Sequence, residues 1–269
     1  MEVPADRYTH GHHESVLRSH QWRTAANSAA YLLDHLHPGL ALLDVGCGPG
    51  TITADFARLV APGPVTGIDL ADDVIEVARR ETGGAGLANL TFTTDDVYRL
   101  SFDDESFDVV HAHQVLQHLS DPVAALVQMR RVLRTGGLLA VRDADYGGFT
   151  WYPKSDVLDR WMEIYHQVTR INHAEADGGR HLAAWVRAAG FGDLEVTSSN
   201  WTYYRPEERL WWGTLWADRT LQSNFAQQCR EFGLASEEEL GAISRAFLEW
   251  AHDDDGVFIV PSVEVLARK

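Results

Sequence analysis

The stretch LLDVGCGPGTIT, Leu42 to Thr53, is a short apolar run that ends in an acid and then opens into three glycines within five residues. Glycine lacks the Cβ that forbids left-handed backbone, so such a run lets the chain turn sharply and come close to whatever lies beside it. Apolar strand, glycine turn and then the helix-forming TITADFARL place the turn at the carboxyl end of a strand, where open α/β sheets bind ligands. The spacing excludes one ligand class. Counting from Gly46, the sixth position is Thr51, so the G-x-G-x-x-G pyrophosphate fingerprint is not met and the pattern is G-x-G-x-G.

Outward from this loop the chain alternates strands with single helices. Upstream, Trp22, Ala25, Ala26, Ala29, Leu32, Leu33 and Leu36 recur at helical spacing and predict an amphipathic helix from Gln21 to Leu36, closed by HPG. Downstream come a strand over Val65 to Leu70, a helix capped by Asp72 or Asp73, a strand at LTFTT and another over Phe107 to His113. SDPVAALVQMRRVLRTGG then carries an N-cap at Asp121, Pro122 at the first helical position, an apolar face of Val123, Leu126, Val127 and Leu133, and Gly136 past the end. LLAVRDA is the fifth strand. This alternation predicts right-handed crossovers and a doubly wound parallel α/β sheet with helices on both faces. From Gly147 the pattern loosens into aromatic-rich helices, and the two late strands DLEVTSSNWTYY and GVFIVPSVEVLARK bracket a helical insertion over about 205–252. The expected organisation is an N-terminal helical arm or lid over 1–38, a ligand-binding core over 39–150, and a completion of the sheet with its cap over 151–269.

The totals exclude several classes of function. A chain of 269 residues with 45% hydrophobic content can bury a full core. Its formal charge of −16, with no basic stripe, argues against a nucleic-acid partner. No signal-like apolar segment follows a basic start and no window approaches 18 apolar residues, so a cytoplasmic protein without a membrane partner is expected. Cys47 and Cys229 are too few for a disulfide framework. His10, His12 and His13 form the densest histidine cluster, but their spacing fits no zinc module, and no metal is expected.

LLDVGCGPGTIT resembles motif I of the class I methyltransferases that use S-adenosylmethionine, of the UbiE-like type, whose fold is a Rossmann-like seven-stranded sheet. TTDDVYRLSFDDESFDVV resembles that family's GDAxxLPFxDxSFDxV stretch, HAHQVLQHLSDP the segment after its fourth strand, and LRTGG its LRPGG. The resemblance is strong over about 40–145 and weaker at WVRAAGF and VLARK. It implies S-adenosylmethionine as cofactor. It implies that the loop of Gly46, Cys47 and Gly48 passes beneath the methionine part and ribose, while Asp44 orients the loop or contacts the amino group. Asp69 would accept from the ribose hydroxyls, Leu70 would pack on the adenine, Asp96 would accept from the adenine amino group and the Val97 backbone would face the ring. Asp95 stands where the family has glycine, so two adjacent acids occupy that place. His113 and Gln114 would lie along the methionine portion, with His118 on the following turn.

Methyl transfer is an in-line displacement whose demands are positioning and exclusion of water. In methyltransferases of this kind the segment before the first strand folds over the cofactor, which singles out Tyr8, His20 and Arg23. Arg23 suits the methionine carboxylate, or else a surface ion pair. Tyr8 suits the sulfonium face, and His20 or His118 a base, against the alternative of structural histidines. Trp151, Tyr152, Tyr203, Tyr204, Trp211, Trp212 and Trp216 suit an apolar acceptor pocket, a helix-packing core or a dimer contact. The expected activity is methylation of a small hydrophobic acceptor at oxygen, nitrogen or carbon, the scaffold being quinone-like or a natural product. A cofactor-assisted cyclisation or rearrangement, or a cofactor sensor, is the alternative, and a homo-oligomer is left open.

Overall fold

The structure is a computed structural model that describes Thr9 and residues 22–269, so Tyr8, His20 and the histidines of HGHH lie outside the described residues. Two short helices, α1 (Ala25–Ser28) and α2 (Ala30–Leu33), precede β1 (Leu42–Val45). Then follow α3 (Thr51–Val60), β2 (Val65–Asp69), α4 (Asp72–Thr82), β3 (Leu90–Thr94), β4 (Phe107–His113), α5 (Pro122–Val132) and β5 (Leu133–Ala144). The second half adds β6 (Thr150–Tyr152), α6 (Asp156–Ile171), α7 (Gly178–Ala188), β7 (Leu194–Tyr203), α8 (Pro206–Gln222), α9 (Asn224–Glu231), α10 (Glu237–His252) and β8 (Val257–Arg268).

Strands β3-β2-β1-β4-β5 run parallel, and β8 closes the sheet antiparallel to β5. β6 continues the line of β5 along β8, and β7 lies along the other edge of β8, also antiparallel. This is the expected Rossmann-like α/β sheet, with eight strands because β6 resumes the pairing after a short excursion over Tyr146–Gly148. Alternate residues feed alternate faces. Leu42, Val109, Leu138 and Ala140 pack under α3 and the N-terminal helices, whereas Leu43, Val110, Leu139 and Val141 pack under α5 and α7. The helices between β7 and β8 join α6 in a separate aromatic core around Trp161, Trp216, Phe225, Phe247 and Phe258. No helix among the described residues is long and apolar enough to cross a membrane.

Several local expectations are corrected. The helix predicted over Gln21 to Leu36 is broken at Ala29 (φ −139°, ψ 25°). The Asn27 carbonyl, which a continuous helix would give to the amide four residues on, instead accepts from the Trp201 indole at 2.8 Å. Neither Asp72 nor Asp73 caps α4: the N-cap is Ala71, and both acids sit in the first turn, favourably placed at the positive end of the helix. In α5 Asp121 does cap, accepting from the Ala124 amide at 2.9 Å. Its inward face is Ala125, Leu126, Met129 and Val132, and Val127 is exposed.

Helices α8 and α10 meet at Gly213, where an added Cβ would lie 2.6 Å from both the Ala251 Cβ and the Phe247 carbonyl oxygen. Backbone cannot yield as a flexible side chain can. Gly213→Ala gains about 1 kcal/mol of helix propensity but forces the helices apart, an overpacking penalty of about 1–3 kcal/mol. The expected net result is a lower unfolding midpoint in urea; a midpoint raised by the substitution would show that the helices separate without penalty.

Candidate functional site

The glycine loop leaves β1 with Gly46, Gly48 and Gly50 all at positive φ (67°, 54° and 80°), which side chains rarely adopt. A Cβ at Gly46 would lie 2.4 Å from Val115 Cγ2, and one at Gly50 2.6 Å from Phe92 Cζ. At those two positions the bare backbone makes room for protein rather than ligand. Cys47, expected among the cofactor-binding residues, has its amide hydrogen-bonded to the Ile68 carbonyl at 2.8 Å and its side chain among Ile75, Ala78 and Phe92. Burial pushes its thiol well above the ordinary value. These contacts help to build the loop. Asp44 is buried as well, with one carboxylate oxygen accepting from the Thr53 hydroxyl at 2.6 Å and the other 2.7 Å from His111 Nδ1. Of the two roles open to it, orienting the loop is the one this geometry serves.

Acids stand at the next two strand ends. Asp69 closes β2, and its Oδ2 accepts the Gly48 amide at 3.2 Å, so it braces the glycine loop while remaining only partly buried. Leu70 beside it is 67% exposed, an apolar side chain offered to whatever occupies this edge. After β3, Asp95 folds back on its own loop, accepting from the Asp96 amide and from both the amide and the hydroxyl of Ser101. Asp96 is exposed and accepts from the Tyr98 amide at 2.9 Å. The acid replacing the family's glycine therefore ties the loop, and its neighbour faces out. Val97 is half-buried against the core under α5.

At the end of β4, Gln114 takes a left-handed φ of 53°, a conformation costing about 1 kcal/mol or more for a non-glycine residue. Its amide donates to the Arg142 carbonyl at 2.7 Å, and its side-chain oxygen accepts from the Arg23 guanidinium at 2.5 Å. Arg23 also stacks over Trp201, 5.6 Å from the ring centroid. His113 is buried with its ring 5.8 Å from Trp201. His118, on the turn Leu116–His118, lies 3.2 Å from the Gln117 amide nitrogen. Parts of the residue reach solvent, but Nδ1 is buried, and burial together with the nearby Arg23 charge pulls its pKa down to about 3. So weak a base is a poor proton acceptor at neutral pH, which argues against the expected role for His118. Thr9 is buried between α6 and α9, its hydroxyl accepting from Asn172 and its carbonyl from Gln228.

Sequence reasoning missed Trp201, Arg142 and Glu264. Arg142 is buried against Glu264 at 3.2 Å, with Ser199 and Thr197 hydroxyls completing the carboxylate shell. Its guanidinium lies 4.7 Å from the Trp201 ring centroid. The signal was present, since LLAVRDA places two charges in a strand otherwise apolar throughout. Of the cap aromatics, Tyr203, Trp212 and Trp216 are buried, Trp151 and Trp211 are half-buried, and Tyr152 and Tyr204 are exposed. Among the described residues, no three histidine, cysteine, aspartate or glutamate side chains cluster as a metal site would require.

A family profile described as "Methyltransferase domain" matches residues 36–204. An uncharacterized methyltransferase of Schizosaccharomyces pombe is 30% identical, with the alignment covering 100% of this chain and 99% of that one. The ubiquinone/menaquinone biosynthesis C-methyltransferase UbiE of Teredinibacter turnerae is 31% identical over 58% of this chain and 63% of its own. Among solved structures, Haemonchus contortus phosphoethanolamine N-methyltransferase 2, determined with S-adenosylhomocysteine, superposes with a TM-score of 0.59 at 17% identity, covering 95% of this chain and 57% of that one.

The depressed His118 pKa has a thermodynamic consequence whose sign is fixed. The unfolded chain takes up this proton near pH 6.5 and the folded chain only near pH 3, so stability is full above 6.5 and falls as pH drops through that window. Between pH 7.5 and 5 the loss from this one group is about 2 kcal/mol. His118→Gln is expected to lose less stability over that interval by this amount in urea titrations. Parallel losses in the two proteins would contradict the assigned burial.

Proposed function

Because the chain belongs to the S-adenosylmethionine-dependent methyltransferases, we propose that it moves the methyl group to an oxygen, nitrogen or carbon atom of a small hydrophobic acceptor, quinone-like or of natural-product type. The cofactor, when bound, supplies a methyl group already activated on a sulfonium. The chain's own task is then to hold donor and acceptor in line and to keep water out.

One observation carries the assignment of the donor site: polar groups stand at three successive strand ends on the carboxyl edge, Asp69 after β2, Asp96 after β3, and Gln114 with Arg23 after β4. Their chemistry fits the parts of the ligand in the order the resemblance implies. Asp69 receives the ribose hydroxyls, with Gly46 and Gly48 beneath. Asp96 accepts from the adenine amino group, with Leu70 and the Val97 backbone along the purine. Arg23 pairs with the amino-acid carboxylate, and His113 and Gln114 line the methionine chain. The acceptor enters between this edge and the aromatic cap over about 205–252, and the relative named for ubiquinone and menaquinone biosynthesis supports a quinone-like acceptor. The N-terminal arm serves as a lid: Thr9 is held at α6 and α9, while Arg23 is held at the sheet edge. Tyr8 and His20 belong to this arm.

Asp69→Asn tests the donor site. It keeps an acceptor for the Gly48 amide but removes the charge offered to the sugar, so S-adenosylhomocysteine affinity should fall about tenfold to a hundredfold by calorimetry, at about 1.5–3 kcal/mol for a charged hydrogen bond. Methyl-labelled cofactor incubated with wild type and a panel of hydrophobic quinols should label product, and the variant should do so only at raised cofactor concentration. Undiminished affinity would sink the donor site as drawn.

A further inference from the structure

A groove of about 580 Å³ lies between the last turns of α5 and α7, rimmed by Asp104 and Glu105 on the loop that enters β4 and by Lys269 after β8. It sits at the edge where the parallel strands begin, whereas the donor site is built where they end. The seven residues of β4, at about 3.3 Å each, put roughly 20 Å between the two.

Three cations line the groove, and two of them are spent on the protein. Arg131 donates to the carbonyls of Phe102 and Leu100 and to the side chains of Asp104 and Gln128. Lys269 gives its ammonium to the carbonyls of Arg131 and Leu133 and pairs with Glu105. Arg130 differs from both. Its guanidinium lies 5.8 Å from the ring centroid of the buried Phe191, and among the described residues it has neither a hydrogen bond nor an ion pair. Packing shuts in Nε, while the two terminal nitrogens stay open and lack an acceptor. A charged donor held in place by a ring but offered no oxygen is destabilising in the free protein, and it points to a group the chain does not supply. With Asp104 held by Arg131 at 2.8 Å and Glu105 by Lys269 at 3.4 Å, the lining keeps one uncancelled positive charge, on Arg130.

We propose that this groove is a second ligand site, for a small monocarboxylic acid whose carboxylate takes both terminal nitrogens of Arg130 and whose apolar body lies along Val127 and Ala189. The planar guanidinium matches a carboxylate with two parallel hydrogen bonds, and its stacking on Phe191 fixes it before the ligand arrives. Val127 is 46% exposed, apolar surface that such a body would cover. The volume falls within the range of small-molecule sites. A doubly charged phosphate fits less well, because its second charge would face the exposed carboxylates of Asp104 and Glu105 on the rim. No residue of the donor site lines the groove, so the proposal stands apart from the methyl-transfer reading.

The test titrates the full-length protein in a calorimeter at about pH 8 with 2-naphthoate, its neutral counterpart 2-naphthamide, and 2-naphthyl phosphate, a dianion at that pH. The carboxylate should bind about tenfold tighter than the amide, the worth of a charge-assisted bond, and no more weakly than the phosphate. Arg130→Gln should bring the acid and the amide to within about twofold of each other, with S-adenosylhomocysteine affinity and thermal unfolding unchanged. Val127→Asp, which sets a like charge on the exposed wall, should weaken the acid more than the amide. Equal binding of acid and amide, binding of neither, a preference that survives Arg130→Gln, or a phosphate bound tighter than the carboxylate overturns the proposal.

Discussion

The Trp201 side chain holds the two halves of the site together. Its indole nitrogen donates to the Asn27 carbonyl, its faces lie near Arg23 and Arg142, and its edge meets Trp22 and His113. An exposed N-terminal segment has little apolar surface of its own with which to bind a sheet. One large ring that satisfies a backbone carbonyl and stacks a cation supplies both burial and direction. The interruption of the helix at Ala29 leaves the Asn27 carbonyl open to that bond, and Arg23, four residues before Asn27, stands beside Gln114.

Beneath this contact the face of the sheet under α3 is polar near its carboxyl edge. Asp44 and His111 pair across β1 and β4, and Arg142 and Glu264 pair across β5 and β8, each at registered positions. Buried charges of this kind repay their desolvation only when every acceptor is met. Here hydroxyls do that work: Thr53 for Asp44, and Ser199 and Thr197 for Glu264. The next residue of β5, Asp143, points to the other face, where the backbone amides of Val115, Leu116 and Gln117 surround it and burial raises its carboxyl well above the ordinary range. The Arg-Asp dipeptide therefore braces the site's floor from both sides, and the turn carrying Gln117 and His118 inherits its position from a strand two elements later.

Legibility in the sequence followed the range of the interactions. The core strands and α3 were readable because strand apolarity and glycine punctuation are local, and Phe107 to His113 came out with both ends as observed. Asp69 and Asp96, singled out by the resemblance, stand where the chain leaves β2 and β3, because a motif's position reports where a strand ends. What stayed hidden depends on partners far along the chain: the Trp201 indole that breaks the first helix is 174 residues from its acceptor. The purpose of the glycines was half legible. Positive φ was implied by their spacing, but that Val115 and Phe92 would occupy the space above Gly46 and Gly50 could not be read from the loop itself. The Cys47 side chain shows the same limit, since it fills the gap beneath α4, a long-range contact the loop's own sequence does not display.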